Sequence, residues 1–314
     1  MPPPQATEAL YSTLQRYQLL LVVGGRRLWS QMLPGNFDGS WQRIAPSLVA
    51  LTSGAQLAAA QAASVYVPEV LGQQGIEDAP EARVRPSAFA GVASDGRSLS
   101  GLLEGAVVNA KRAMTRGMDG GDALANGQRW LETALRTAVT DAARDATAAE
   151  IVARPQTAWV RMVNPPCCSR CAVLAGRIYK WNDGFDRHPQ CDCLHIPTTV
   201  ANADSYLSNP AELARRGLIT DLSQNQRKRL DDGADLNKVL NESRDRWRER
   251  MAADRAKQGP VDRLGRRRPS TWGGGDGKPL IPPGGTMQDL MAKLTADVER
   301  HRAVSAMKAA GIAT

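Results

Sequence analysis

The stretch Cys167-Cys168-Ser169-Arg170-Cys171, followed beyond Arg187 by His188-Pro189-Gln190-Cys191-Asp192-Cys193-Leu194-His195, holds all five cysteines and two of the three histidines of a 314-residue chain. Ordinary buried thiols have no reason to gather beside histidines. A metal centre does: zinc takes four thiolate or imidazole ligands in a tetrahedron, usually as two close pairs on turns separated by a loop. Cys168 and Cys171 make one Cys-x-x-Cys pair. Cys191 and Cys193, in an extended segment, point to one face because side chains alternate along a strand. His188 precedes Pro189, which stiffens the turn and keeps its predecessor out of helix. The donors outnumber the corners of a tetrahedron. The preferred set is Cys168 and Cys171 with two of His188, Cys191 and Cys193, while Cys167 and His195 stand in reserve.

Competing chemistries for these cysteines fit less well. Disulfides would leave one cysteine over and require an oxidising compartment, and no apolar signal segment opens the chain. A redox Cys-x-x-Cys belongs at the start of a helix in a βαβ pattern, whereas this one follows Asn164-Pro165-Pro166 and reads as loop. A deaminase-type catalytic zinc needs a His-x-Glu, yet His188 is followed by Pro-Gln, His195 by Ile-Pro and His301 by Arg-Ala. No His-Glu-x-x-His occurs either. The expectation is a closed, structural zinc site that staples a short loop-rich unit.

Outward from the cysteines, the pattern predicts a module over residues 126–207. A long helix runs from Gln128 to about Ala153, with Leu131, Leu135, Ala138, Val139 and Ala142 on one face and Glu132, Arg136, Asp141, Arg144 and Asp145 on the other. Arg154-Pro155 ends it. Trp159–Val163 reads as a strand leading to the first cysteine pair, Arg177–Trp181 as a second, and Cys193–Val200 as a third. A small antiparallel sheet beside a helix follows, with metal joining its loops. Arg170, Arg177, Lys180 and Arg187 flank the thiols, where positive charge favours thiolate and offsets a net-negative centre.

The order Cys-x-x-Cys, Leu174-Ala175-Gly176-Arg177, Tyr179, then Arg187-His188-Pro189-x-Cys191-x-Cys193 and Ile196-Pro197 resembles the phage Mu protein F-like (MuF) minor head proteins. It looks most like the versions carried by tailed phages and prophages of actinobacteria. The motif-bearing likeness spans about Gln128 to Val200. It implies a minor capsid protein, active in head morphogenesis near the portal during assembly or DNA packaging. Portal, capsid or scaffold proteins would be its partners, with packaged DNA as a further one and no membrane. Its place would be the virion, inside or beneath the capsid, after assembly in the host cytoplasm. Related phage proteins are often named capsid maturation proteases, so that activity is the alternative. The chain shows no Gly-x-Ser-x-Gly, and two of its three histidines lie among the metal candidates.

The remaining sequence is mostly helical in pattern, so the fold class expected is α+β. Residues 1–125 carry apolar stripes. Leu10, Leu14, Tyr17, Leu21 and Leu28 recur at helical spacing, with Gly24-Gly25 as an interruption and Pro34-Gly35 as a stop. A second helix, capped by Asp38 or Ser40, runs through Trp41, Ile44, Leu48 and Leu51. Pro46 would delay or kink it, and Pro68 would end the continuing apolar face. Residues 71–101 read as loop with a short element near Ser87–Ala90. Leu102–Met118 reads as a helix with Leu103, Val107, Ala110 and Met114 inward, closed by Asp119-Gly-Gly-Asp. The apolar run Leu19–Val23 is too short to span a bilayer.

Residues 208–257 form a basic helical segment: one helix opens at Asn209-Pro210, a second at Thr220-Asp-Leu-Ser, and a third runs from Asp235 to Arg255. Residues 258–285, with Arg266-Arg-Arg268 and Trp272-Gly-Gly-Gly275, have linker composition. Residues 286–314 end the chain in a helix capped by Thr286 and stopped at Gly311. With 40 Lys and Arg against 32 Asp and Glu, the chain carries a formal charge of +8 and a pI near 9.5. Such an excess suits polyanions, which makes a nonspecific DNA-binding protein the second alternative.

Overall fold

A computed structural model of the chain describes residues 2–242, 249 and 300–314. The chain divides into two compact units: residues 2–164, 177–207 and 300–314 make the first, and residues 165–176, 208–242 and 249 the second. The fold is α+β and mostly helical, with one small antiparallel sheet.

Four helices build the body of the first unit: α1 (Gln5–Trp29), α2 (Phe37–Gln73), α3 (Leu99–Thr115) and α4 (Gly120–Val152). Leucine and alanine dominate their shared core, which includes Leu14, Leu21, Leu48, Leu103, Leu131 and Leu135. Small side chains let the axes approach closely. Gly24 and Gly25 do not interrupt α1 as expected; they serve this approach. A Cβ on Gly24 would lie 2.6 Å from Leu51 Cδ2, and one on Gly25 2.5 Å from Leu135 Cδ1.

The start of α2 also differs from expectation. Asn36 is the N-cap, accepting from Gly39 N, while Ser40 is buried and donates to the Asn36 carbonyl. Pro46 and Pro68 neither delay nor end this helix, because both rings lie on its exposed side, where water can take the carbonyls they free. By length and composition α2 is apolar enough to cross a membrane, a test that core helices also pass. Its inward residues Trp41, Ile44, Leu48, Val67 and Leu71 are core.

Between α2 and α3 lies the expected loop, with one 3-10 turn at Pro86–Phe89. Met114 of α3 is 39% exposed rather than inward. Asp119 does not close α3 but opens α4, accepting from Asp122 N. The helix α4 therefore starts earlier than Gln128, and the boundary drawn between residues 125 and 126 falls within it.

Strands β1 (Ala158–Met162), β2 (Ile178–Tyr179) and β3 (Leu194–Thr198) form an antiparallel sheet in the order β2-β1-β3. Trp159 faces Tyr179 on one side and Pro197 on the other, and Arg161 faces His195. Every residue of β1 is buried, which explains why its sequence alternates so weakly: both faces are covered.

Helix α8 (Arg300–Ala309) ends the unit, burying Ala303, Val304 and Met307. Gly311 stops it with φ +73°, as the sequence predicts. The last residues then add a backbone pairing, with Thr314 N bonded to Arg83 O at 2.9 Å and Arg83 N to Thr314 O at 3.1 Å.

In the second unit, α5 (Ser169–Leu174) follows a parallel bridge between Cys167 and Ile219. Helix α6 (Pro210–Arg215) has Asn209 as N-cap and ends before Gly217 at φ +68°, as read from the sequence. Helix α7 (Gln224–Asp231) opens at Ser223, through a capping box with Gln226. Residues 236–242 are helical. The remainder of the helix expected to Arg255, the linker at 258–285 and the Thr286 cap lie outside the described residues.

Candidate metal centre

The first cysteine pair is held by the start of α5. Cys168 is its N-cap, and its Sγ accepts from Cys171 N at 3.3 Å. Ser169 fixes the same turn by donating from N (2.7 Å) and Oγ (2.9 Å) to the Asp221 carboxylate. The pair thus does sit at a helix start, contrary to the loop expected, so that criterion does not separate metal from redox chemistry. The further donors described below do.

The second pair lies in extended chain just before β3. Cys191 is 4% exposed and Cys193 1%. A turn closed by Cys191 N to His188 O at 3.1 Å precedes them, with Gln190 at φ +62°, a left-handed position that few side chains take. Helix α4 holds this segment in place. Gln190 bonds Thr137 Oγ1 through its backbone N (3.2 Å) and Thr133 Oγ1 through its side chain (2.7 Å). Arg187 donates to Asp141 at 2.5 Å. Arg144 donates from Nε to the Cys193 carbonyl (2.9 Å), and from Nη2 to the carbonyls of Cys193 (2.8 Å) and Cys191 (2.5 Å).

Five of the predicted ligands come together. The donor atoms of Cys168, Cys171 and His188 all lie within 4.8 Å of one another, and those of Cys171, Cys191 and Cys193 do likewise. In a tetrahedral zinc site with bonds of about 2.3 Å, thiolates stand about 3.8 Å apart, which lies within the bound that each group meets. Cys168, Cys171, His188, Cys191 and Cys193 therefore form a cluster able to hold a metal ion.

The two reserves do not join it. Cys167 belongs to neither group and is engaged through its backbone, N to Leu218 O and O from Thr220 N. His195 lies in β3 inside an aromatic cluster, 4.4 Å from Trp159 and 4.5 Å from Phe185 between ring centroids. Its Nδ1 has no hydrogen-bond partner among the described residues. Burial, then the nearby Arg144 and Arg161 charges, push its pKa well below the ordinary value, so it is a neutral core imidazole.

Asp141, Arg144 and Asp145 were expected on the solvent side of α4 and are buried instead. Apolar periodicity marks one face of a helix and is silent about polar residues buried on another. The available signal was Thr133, Thr137, Asp141 and Arg144 at helical spacing in an alanine-rich helix. Arg161 was missed as well. It is fully buried over the Phe185 ring at 3.9 Å, and its Nη2 donates to the Asp186 carbonyl. Of the four basic residues expected beside the thiols, Arg187 pairs with Asp141, Arg177 lies over the Tyr179 ring at 4.6 Å, and Arg170 and Lys180 are exposed.

Comparison with known proteins finds no matching family model, no matching curated protein and no matching solved structure.

Proposed function

We propose that this chain is a non-enzymatic minor capsid protein of a tailed phage, a head-morphogenesis component in which the cysteine cluster binds a structural zinc ion. The observation that carries the reading is the meeting of the two halves of the motif. The residues by which the sequence resembles MuF proteins, Cys-x-x-Cys and His-Pro-x-Cys-x-Cys, are those whose donor atoms gather. Zinc suits the donor set, because thiolates and imidazole select it over the hard cations. A shell filled by protein ligands leaves no open position for substrate, so the metal's role is to hold chain segments together.

The activity and setting rest on the resemblance: assembly near the portal, contact with portal, capsid or scaffold proteins, and a place inside or beneath the capsid. The basic balance of the chain suits contact with packaged DNA. The burial of His195, with no partner at Nδ1 among the described residues, weighs against its service as the base of a protease.

The test is metal content per chain after purification without chelator, with parallel incubation against the cognate portal, capsid and scaffold. One zinc per chain, portal binding and no cleavage are the expected results. Serine variants at Cys168, Cys171, Cys191 and Cys193 should each lose metal and melt earlier than the parent. Full metal content and unchanged melting in all four would end the zinc reading. Specific cleavage of capsid or scaffold would establish the maturation protease instead, and DNA affinity falling steeply with salt would add the nucleic-acid role.

A further inference from the structure

We infer that Arg144 is a positioning residue for the metal centre, a cradle that fixes the Cys191–Cys193 arm before any ion arrives. The inference rests on the metal reading above and goes beyond it, since Arg144 would not itself touch the metal.

The argument begins with backbone polarity. Cys191 and Cys193 are buried and lie just before β3, so their carbonyls are shielded from water. A buried carbonyl without a donor costs about 1–3 kcal/mol. Arg144 meets both: one guanidinium edge spans the two residues, with Nε and Nη2 on the Cys193 carbonyl and Nη2 also on that of Cys191. The planar fork sets the spacing of these carbonyls and hence the directions of the alternate side chains between them. A lysine ammonium, a point donor on a flexible stem, lacks that geometry.

The guanidinium is itself anchored. Its Nη1 donates to Asp141 at 3.2 Å, one turn back on α4, and Asp141 also accepts from Ser94 Oγ at 2.7 Å and from Arg187. The Phe185 ring lies 5.0 Å from the guanidinium carbon. Thr133, Thr137, Asp141 and Arg144 thus form one line along α4 that engages Gln190, Arg187 and both cysteine carbonyls in succession. The helix acts as a ruler for the ligand segment. A thiolate-rich zinc centre is net negative, and a buried cation bonded to the backbone of two of its ligands stabilises that charge.

The experiment titrates the full chain with Zn2+ against a competing chelator and records the thiolate-to-Co2+ charge-transfer band of the cobalt form. Arg144→Lys should weaken Zn2+ binding by about 10–100-fold and shift the cobalt band. Asp141→Asn, which keeps volume but loosens the anchor, should do the same to a smaller degree. Gly127→Ala, in the same helix but away from the cradle, should lower the melting temperature with metal affinity unchanged. That contrast separates positioning from plain stability. Should the Arg144 variant fail to fold, the parent protein still decides. Hydrogen exchange at the Arg144 Nε–H should be slow in both the metal-free and the zinc-loaded forms. Parental affinity in both cradle variants, or fast Nε–H exchange without metal, would overturn the inference while leaving the zinc site standing. A parent chain that binds neither Zn2+ nor Co2+ would overturn both.

Discussion

Two glycines in the helical body show how contact, rather than composition, decides what a residue is for. Gly127 of α4 sits where a Cβ would meet the Ala106 carbonyl at 2.7 Å, the Trp29 ring at 2.8 Å and Ala110 Cβ at 3.1 Å. Backbone and a buried indole cannot step aside as a flexible side chain can. Gly127→Ala should therefore destabilise the first unit by about 1–3 kcal/mol, the usual cost of overpacking. Gly54 of α2 has nothing within 4 Å of the same point. There an added methyl meets only solvent and removes the backbone entropy that glycine brings to a helix, so Gly54→Ala should stabilise by up to about 1 kcal/mol. Urea denaturation of both variants checks the pair. Equal midpoints would show that the α3–α4 approach is looser than the distances state. The sequence does not tell the two glycines apart, because what separates them is the presence of Trp29, Ala106 and Ala110 beside Gly127 and of nothing beside Gly54.

At the level of elements, legibility followed the kind of signal each residue emits. The strand from Trp159, the helix start at Asn209-Pro210 and the stop at Gly311 were readable because each rests on local chemistry: β-rich composition, a capping side chain, a backbone that only glycine takes easily. The five metal candidates were readable for the same reason, since ligand type and spacing are local. What was not readable was tertiary. Pro46 and Pro68 look like breaks until it is known that they face outward, and Arg144 looks like a surface residue until the ligand segment is laid across it. Arg300 belongs to this class. From α8 its guanidinium donates to the carbonyls of Ile151 (2.9 Å) and Thr157 (3.2 Å) and lies 4.8 Å from the Trp181 ring. It thereby completes the C-terminal end of α4, where helix carbonyls have no partners of their own. Arg300→Met keeps much of the packing and strips the donors, leaving those carbonyls short, and should cost about 1–3 kcal/mol. Amide exchange in the last turn of α4 should rise with it; unchanged exchange there would show that α8 holds on through Ala303, Val304 and Met307 alone.

Across the whole molecule, the two shifted tyrosines tie stability to alkaline pH with a definite sign. Burial, reinforced by Asp192, which accepts from its hydroxyl at 3.1 Å, pushes the Tyr11 phenol up to about 12. Tyr66 is fully buried, donates to the His195 carbonyl at 2.7 Å, and burial drives its pKa upward too. An unfolded tyrosine ionises near pH 10. From about that pH up to about 12, the unfolded chain gives up protons that the folded chain keeps, so it binds fewer and stability falls as pH rises. Below about pH 9 both states hold these protons and neither group makes stability depend on pH. Absorbance titration at 295 nm should therefore show Tyr11 and Tyr66 lagging behind free phenol while circular dichroism stays native. The Tyr11→Phe, Tyr66→Phe double variant should be less stable at neutral pH, because Asn164 and Thr7 lose their partners, yet lose less stability between pH 10 and 12. If Tyr11 and Tyr66 ionised near pH 10 with the fold intact, α1 and α2 would have to be open to water at these two positions. The packing of α1 beside the ligand segment, where Tyr11 meets Asp192 between the two cysteines, would then be wrong as well.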